Sequence, residues 1–275
     1  MQETVTHMIN SAQTDNCQEG DYYKDGILYC GKCHTRKQLS YSLFGKGILV
    51  GCLCECQAKE RAAKLEAEEK VIAEKQLAKM RSAAFPDPIL KSYRFDQDDG
   101  KNPQVSQMCK NYVQHFNDMK EKHEGLLLFG PVGTGKSFMA VAIANALLDG
   151  GVSCLVTNFS RLTNTLFAHR DGKQECLDAL NKYDLLVIDD LGAERDTEYM
   201  IEQVSIIIDS RYRSGKPLIV TTNLTPMELK HPADTGKARI YSRLLGMCYP
   251  IEVTGEDRRK LELRKSYVDL KALLT

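Results

Sequence analysis

The chain has 275 residues, room for one large domain or for a medium domain with a small one at roughly 100 to 200 residues each. Lysine plus arginine and aspartate plus glutamate balance at 37 each, which excludes binding to nucleic acid by bulk positive charge, and 43% hydrophobic with 27% charged residues excludes a disordered chain. No apolar run approaches the roughly 18 residues of a membrane helix, and the polar start MQETVTHMINSAQTDN has no secretory pattern, so a cytoplasmic protein with no membrane partner is expected.

Residues 1–20 lack apolar periodicity and read as a disordered tail. From Asp21 to Cys56 the chain is poor in apolar residues and rich in Gly and Cys. Cys30 and Cys33 form a CxxC knuckle, and CLCEC at 52–56 returns three more thiols. Two close pairs separated by a loop of this size suit a tetrahedral Zn²⁺. The expected ligands are Cys30, Cys33, Cys54 and Cys56, with Cys52 able to replace one of the second pair and His34 a weaker spare. Four protein ligands leave no open coordination position, so residues 21–56 read as an interaction surface rather than a catalyst. A redox CxxC fits less well, because Cys30 follows no βαβ pattern. Cys17, Cys109, Cys154, Cys176 and Cys248 are scattered and read as packing residues.

From Gln57 to Arg81 there is no Gly or Pro, and Glu60 with Lys64 and Glu66 with Lys70 have the favourable i,i+4 order. This predicts a solvated linker helix within 57–84, ended by FPDP at 85–88 because proline lacks an N–H and disfavours helix before it. Past Lys91, apolar runs at 126–129, 154–157, 184–189, 217–222 and 248–253 read as strands. Helical patterns lie near 136–148, 159–168, 197–213 and 237–245. Strands alternating with helices imply an α/β unit over 85–275, a parallel sheet with both faces covered.

GPVGTGKS at 130–137 fits the GxxxxGK pattern followed by Ser or Thr, directly between a strand and a helix. The loop Gly130, Pro131, Val132, Gly133, Thr134, Gly135, Lys136, Ser137 and Phe138 would cradle phosphates, with its backbone N–H groups pointing at them. Lys136 would supply charge to the β- and γ-phosphates of ATP, and Ser137 a hydroxyl to Mg²⁺. Mg²⁺ also prefers a carboxylate at a strand end, and LLVIDD at 185–190 supplies Asp189 for the metal. Asp190 would orient or deprotonate the attacking water. The next strand ends in Asn223, whose amide could contact that water or the γ-phosphate. Arg239 and Arg243 lie four apart on one helical pattern, and Arg258 and Arg259 follow in GEDRR. Read alone, these arginines also suit a solvated surface.

The phosphate loop, LLVIDDLGAE at 185–194, the TTN strand end, RIYSR, GEDRR and YCGKCHTRKQ at 29–38 together resemble one family over about residues 25–268. It is the DnaC/DnaI-type AAA+ helicase loaders and the similar IstB transposition helpers, especially phage-type loaders with an N-terminal cysteine motif. The resemblance implies an AAA+ P-loop NTPase preceded by a small zinc-binding module and a linker helix. Its function would be an ATPase that loads a replicative hexameric DNA helicase onto single-stranded DNA, with slow hydrolysis timing release. By resemblance Asn223 is sensor 1, Arg243 the arginine finger acting across a homo-oligomeric interface, and Arg259 the sensor 2 arginine. The zinc module would grip the helicase. Asn158, Arg161 and the segment to Arg170 lie where the family's DNA-facing helix would be. Two departures are evident. Asp189-Asp190 replaces the common Asp-Glu, which suits a slow ATPase. The chain ends soon after GEDRR, leaving room for one further helix and no full helical lid. The alternative is an IstB-like helper of DNA transposition. A small-molecule kinase lacks a use for Asn223 and the RxxxR pair, and a non-enzymatic zinc adaptor lacks one for Lys136, Ser137 and Asp189.

Overall fold

The structure, a computed structural model, describes residues 17–43, 46–168, 172–192, 197–232 and 234–260. Residues 1–16 of the expected tail, Arg170, and the segment beyond residue 260 lie outside these. Two compact units divide within one long helix, Met1–Lys75 and Gln76–Thr275.

The first unit holds two antiparallel hairpins. Strands β1 (Tyr22–Lys24) and β2 (Ile27–Tyr29) are joined by Asp25-Gly26, both with positive φ, as a two-residue hairpin turn of Asp-Gly type requires. Strands β3 (Gln38–Leu43) and β4 (Lys46–Gly51) pair in register from Gln38 opposite Gly51 to Leu43 opposite Lys46. Helix α1 (Glu55–Ala84) begins two residues before the predicted linker helix. It carries the Glu66–Lys70 ion pair at 2.7 Å and buries only Ala84, as its lack of an apolar stripe anticipates.

The second unit is a five-stranded parallel sheet in the order β6-β7-β8-β5-β9. Its strands are β5 (Gly125–Phe129), β6 (Cys154–Asn158), β7 (Leu185–Leu191), β8 (Leu218–Thr222) and β9 (Cys248–Glu252). Alternate residues enter opposite cores. Leu126 and Leu128 pack with Val105, Cys109 and Tyr112 of α2 (Pro103–Gln114), Phe116 of α3 (Phe116–Glu121) and Met139 and Ile143 of α4 (Lys136–Asp149). Leu127, Leu186 and Val220 pack on the other face. There they meet Leu162 and Leu166 of α5 (Phe159–Ala168), Leu177 of α6 (Lys173–Lys182), Val204 and Ile208 of α7 (Glu198–Ser214), Leu229 of α8 (Pro226–Lys230) and Leu244 of α9 (Thr235–Met247). Burial on both faces explains why β5, β7 and β8 read as apolar runs. Each such leucine, moved fully out of water, contributes about 1.5 to 3 kcal/mol.

One buried cation braces this sheet. Arg211 of α7 is 1% exposed and donates to the carbonyl oxygens of Tyr183, Asp184 and Pro217, which lead into β7 and β8. Burial pulls its pKa down to about 10, and Asp184 resists that shift.

Candidate nucleotide site and cysteine cluster

The cavity of about 850 Å³ lies at the carboxyl ends of the strands, where parallel α/β sheets place ligands. Lys136, Ser137, Asp189, Asp190, Asn223 and Arg259 all line it, together with Val132, Gly133, Gly135 and Phe138. Arg243 does not. The loop between β5 and α4 can approach a ligand closely because Gly130, Gly133 and Gly135 take φ of 141°, 79° and 99°. A Cβ on Gly130 would stand 2.4 Å from the Val253 carbonyl oxygen, so this glycine is also required by packing.

Lys136 is 6% exposed, and its Nζ donates to the carbonyl oxygens of Gly130 and Pro131 at 2.8 and 2.7 Å. Burial lowers its proton affinity, and the carboxylates of Asp190 and Asp189 offset part of that effect. Thr134 Oγ1 donates to Pro131 O at 2.9 Å and shapes the loop from inside.

Asp189 and Asp190 sit where β7 gains one residue relative to β8, since Ile188 opposes Val220 and Leu191 opposes Thr222. A bulge of this kind re-aims side chains next to a site. Asp190 takes φ of 65°, a left-handed conformation uncommon for a residue with a Cβ. The bulge is bound by Thr221 of β8, whose Oγ1 donates to Asp189 Oδ1 at 2.5 Å and accepts from Asp190 N at 2.8 Å. Asn223 Nδ2 donates to Asp190 Oδ1 at 3.2 Å, so the strand-end amide and the second carboxylate form one unit. The donor set fits a nucleotide with Mg²⁺: an oxygen pair from Ser137 and Asp189, a buried ammonium, and positive-φ glycines at the helix start.

Sequence reasoning missed one wall of this cavity. Ser92, Tyr93, Arg94, Gln97, Asp99 and Lys101 line it from the segment before α2. Asn145 of α4, buried, donates to the carbonyl oxygens of Leu90 and Tyr93, both at 2.9 Å, and Tyr93 packs on Phe138 at 5.5 Å between ring centroids. Arg81 and Arg94 both pair with Asp149 at the end of α4. Thr221 was also missed, although two threonines inside an apolar strand announce buried hydroxyls that need partners.

The remaining candidates lie apart. Arg243, 32% exposed on α9, pairs with Asp209 of α7 at 2.6 Å, and Arg213 shares that carboxylate. Arg239 is exposed. Asn158 Oδ1 accepts from Arg161 N at 2.8 Å at the start of α5, and the Arg161 guanidinium pairs with Asp87 at 3.5 Å.

In the first unit, Cys30, Cys33, Cys54 and Cys56 bring their sulfur atoms within 4.8 Å of one another. Cys30 Sγ lies 3.4 Å from Cys56 Sγ, and Cys54 Sγ lies 3.5 Å from Cys56 Sγ. Tetrahedral Zn²⁺ with bonds of about 2.3 Å needs sulfurs about 3.8 Å apart, so the set fits the ion. Cys52 and His34 are outside it: Cys52 Sγ contacts Arg36 O at 3.5 Å, and His34 Nδ1 contacts the Tyr22 hydroxyl at 3.3 Å. The helix start places Cys54 and Cys56, with Gln57 Oε1 accepting from Cys54 N and Thr35 Oγ1 from Glu55 N. Lys32 N points at Cys30 Sγ from 3.4 Å. Asp21 braces the knuckle by accepting from Gly31 N, Gln18 N and the Nζ of Lys37, which is 0% exposed.

Comparison with known proteins agrees with this geometry. Replicative helicase loader DnaI of Bacillus subtilis (strain 168) is 26% identical over 245 residues, covering 84% of this chain and 78% of that protein. A putative insertion sequence ATP-binding protein of Sinorhizobium fredii is 26% identical over 204 residues, covering 72% and 79%. The crystal structure of the DnaC helicase loader superposes with a TM-score of 0.52 at 25% identity, over 61% of this chain and all of that one. The sheet is that of an AAA+ P-loop NTPase, as the sequence implied. Residues 55–266 match the family described as IstB-like ATP binding protein, and the chain belongs to that family.

Proposed function

We propose that this protein is an ATP-dependent loader that places a replicative hexameric DNA helicase on single-stranded DNA during initiation of replication, with slow hydrolysis timing its release. One observation carries the choice within the family. The likeness to DnaI covers 84% of the chain, more than residues 55–275 can supply, so it enters the cysteine module, whereas the family match begins at residue 55. In this reading residues 21–56 are a zinc module that grips the helicase, 57–84 a linker helix and 85–275 the ATPase domain.

Lys136 neutralises the β- and γ-phosphates. Ser137 and Asp189 hold Mg²⁺, which when bound offsets charge on the phosphates. Asp190 orients the attacking water, and its hydrogen bond from Asn223 fixes where its carboxylate points. Arg259 meets the nucleotide from the rim of the same cavity. Arg243 acts on ATP bound by the next subunit of a homo-oligomer, and its place on α9 outside its own cavity supports that assignment. The family and its insertion-sequence relative favour a second reading, an IstB-like helper of transposition.

The test is loading onto a circular single strand that offers no free end. With the helicase of the same cell, the protein and ATP should together give unwinding of an annealed oligonucleotide, and a stable complex with the helicase in gel filtration. Neither unwinding nor complex, with a transposase captured instead, would reject the first reading for the second.

A further inference from the structure

Arg258 touches the phosphate loop in two ways. Its backbone N–H donates to Gly133 O at 3.0 Å, and its guanidinium lies on Gly135, where a Cβ would be 2.6 Å from Nη1. The cation therefore rests on the stretch of backbone expected to cradle phosphates. Its Nη2 is buried without a hydrogen-bond partner and meets Asp99 Oδ1 only as an ion pair at 3.1 Å. Asp99 and Arg258 both line the cavity. A second tie joins the same two segments, Asn102 Nδ2 donating to Thr254 O at 2.6 Å.

A guanidinium prefers a phosphate, which can take its fork bidentately, over a single carboxylate oxygen met out of alignment. We propose that Asp99 acts as a stand-in for a nucleotide phosphate. It holds Arg258 over the loop, and an incoming triphosphate takes the guanidinium from it, so that filling the cavity frees the segment around Asp99. This rests on the nucleotide reading of the cavity and adds its regulation. The segment from Asp87 to Asn102 also connects α1 to α2 in the chain.

The experiment is equilibrium binding of a fluorescent non-hydrolysable ATP analogue with Mg²⁺ to the full-length chain and four variants. Lys136→Ala is the control: binding that survives it overturns the nucleotide reading itself. With that control abolishing binding, Asp99→Asn should tighten binding about fivefold, the upper end for a partly exposed ion pair. The same change made in an Arg258→Gln background should give no gain. An equal gain in both backgrounds means simple charge repulsion and overturns the exchange, as does no gain in the Arg258 background. Arg258→Lys, which keeps the charge without the fork, replaces Arg258→Gln if the latter does not fold, and should leave a gain under twofold. Hydrogen exchange of amides 98–101 should quicken on adding the analogue to the parent chain and already be fast in Asp99→Asn. Unchanged exchange in the parent overturns the release of the segment.

Discussion

The two units are built on opposite principles. Gln76–Thr275 has an apolar core on each face of its sheet, whereas the described residues of Met1–Lys75 bury only Leu28, Cys30, Cys54 and the paired Lys37. So small an apolar core cannot offset the entropy of ordering two hairpins. In the sheet unit, a motif reports chemistry added to a fold that stands without it. In the cysteine unit, the motif residues Cys30 and Cys54 are themselves half of the little that is buried.

Metal removal should expose this contrast most strongly. The full chain should carry one Zn²⁺ by elemental analysis, and stripping it with a chelator should erase hydrogen-exchange protection from residues 21–56 while the sheet unit keeps its melting transition. Apparent zinc binding energies of about 10 kcal/mol or more are available for such coupling. Cys54→Ser should lose the metal and Cys52→Ser should keep it. A metal-free chain with a protected module would break the comparison.

The next effect belongs to the sheet unit and requires two copies of it. Arg243→Ala should leave nucleotide affinity nearly unchanged but remove stimulation by assembly, a loss of about a thousandfold. Mixed with Lys136→Ala, which should not bind nucleotide, it should recover part of the ATPase rate. A mixture as inactive as its components despite co-assembly would place Arg243 in cis or in a structural role with Asp209. Within one subunit, Asp190→Asn should keep ATP binding and lower hydrolysis at least about a hundredfold in single-turnover assays.

The smallest effect concerns acid. Burial raises the Asp149 carboxyl pKa, but hydrogen bonds from Arg81 and Arg94 outweigh it and hold the group below the usual carboxylate range. A depressed folded pKa adds stability above the unfolded value near 3.8, and that stability fades as pH falls through the folded value. Asp149→Asn should therefore cost about 1 kcal/mol or less near neutral pH and flatten the acid limb of thermal stability of the sheet unit. The cysteine module should not respond.

What could be read from sequence follows from the same contrast. All five sheet strands fall on the predicted runs, and β5, β7 and β8 read as apolar because strands buried on both faces need no alternation. The phosphate loop and the Asp-Asp strand end were legible because their residues are neighbours in the chain. Helices α2 and α6 were not singled out: α2 buries Val105, Ser106, Cys109 and Tyr112, and α6 buries only Leu177, stripes too thin to stand out. The wall formed by Tyr93, Arg94 and Asp99 depends on Asn145, Asp149 and Arg258, far away in the chain, and no local pattern announces such pairings. The β7 bulge likewise exists only in register with β8.

The position of β5 has a consequence for synthesis. Both of its neighbours come later in the chain: Leu126 waits for Ile219 of β8, and Gly125 for Cys248 of β9. At roughly 5 to 20 residues per second, a ribosome delivers the strand that carries the phosphate loop about 5 to 25 s before its partners. During that interval LLLF is an unpaired apolar strand with both edges open, the kind of segment that recruits chaperones or other strands. Because Arg258 and Arg259 come after both partner strands, the nascent chain can complete the lining of the cavity only once β9 has been made.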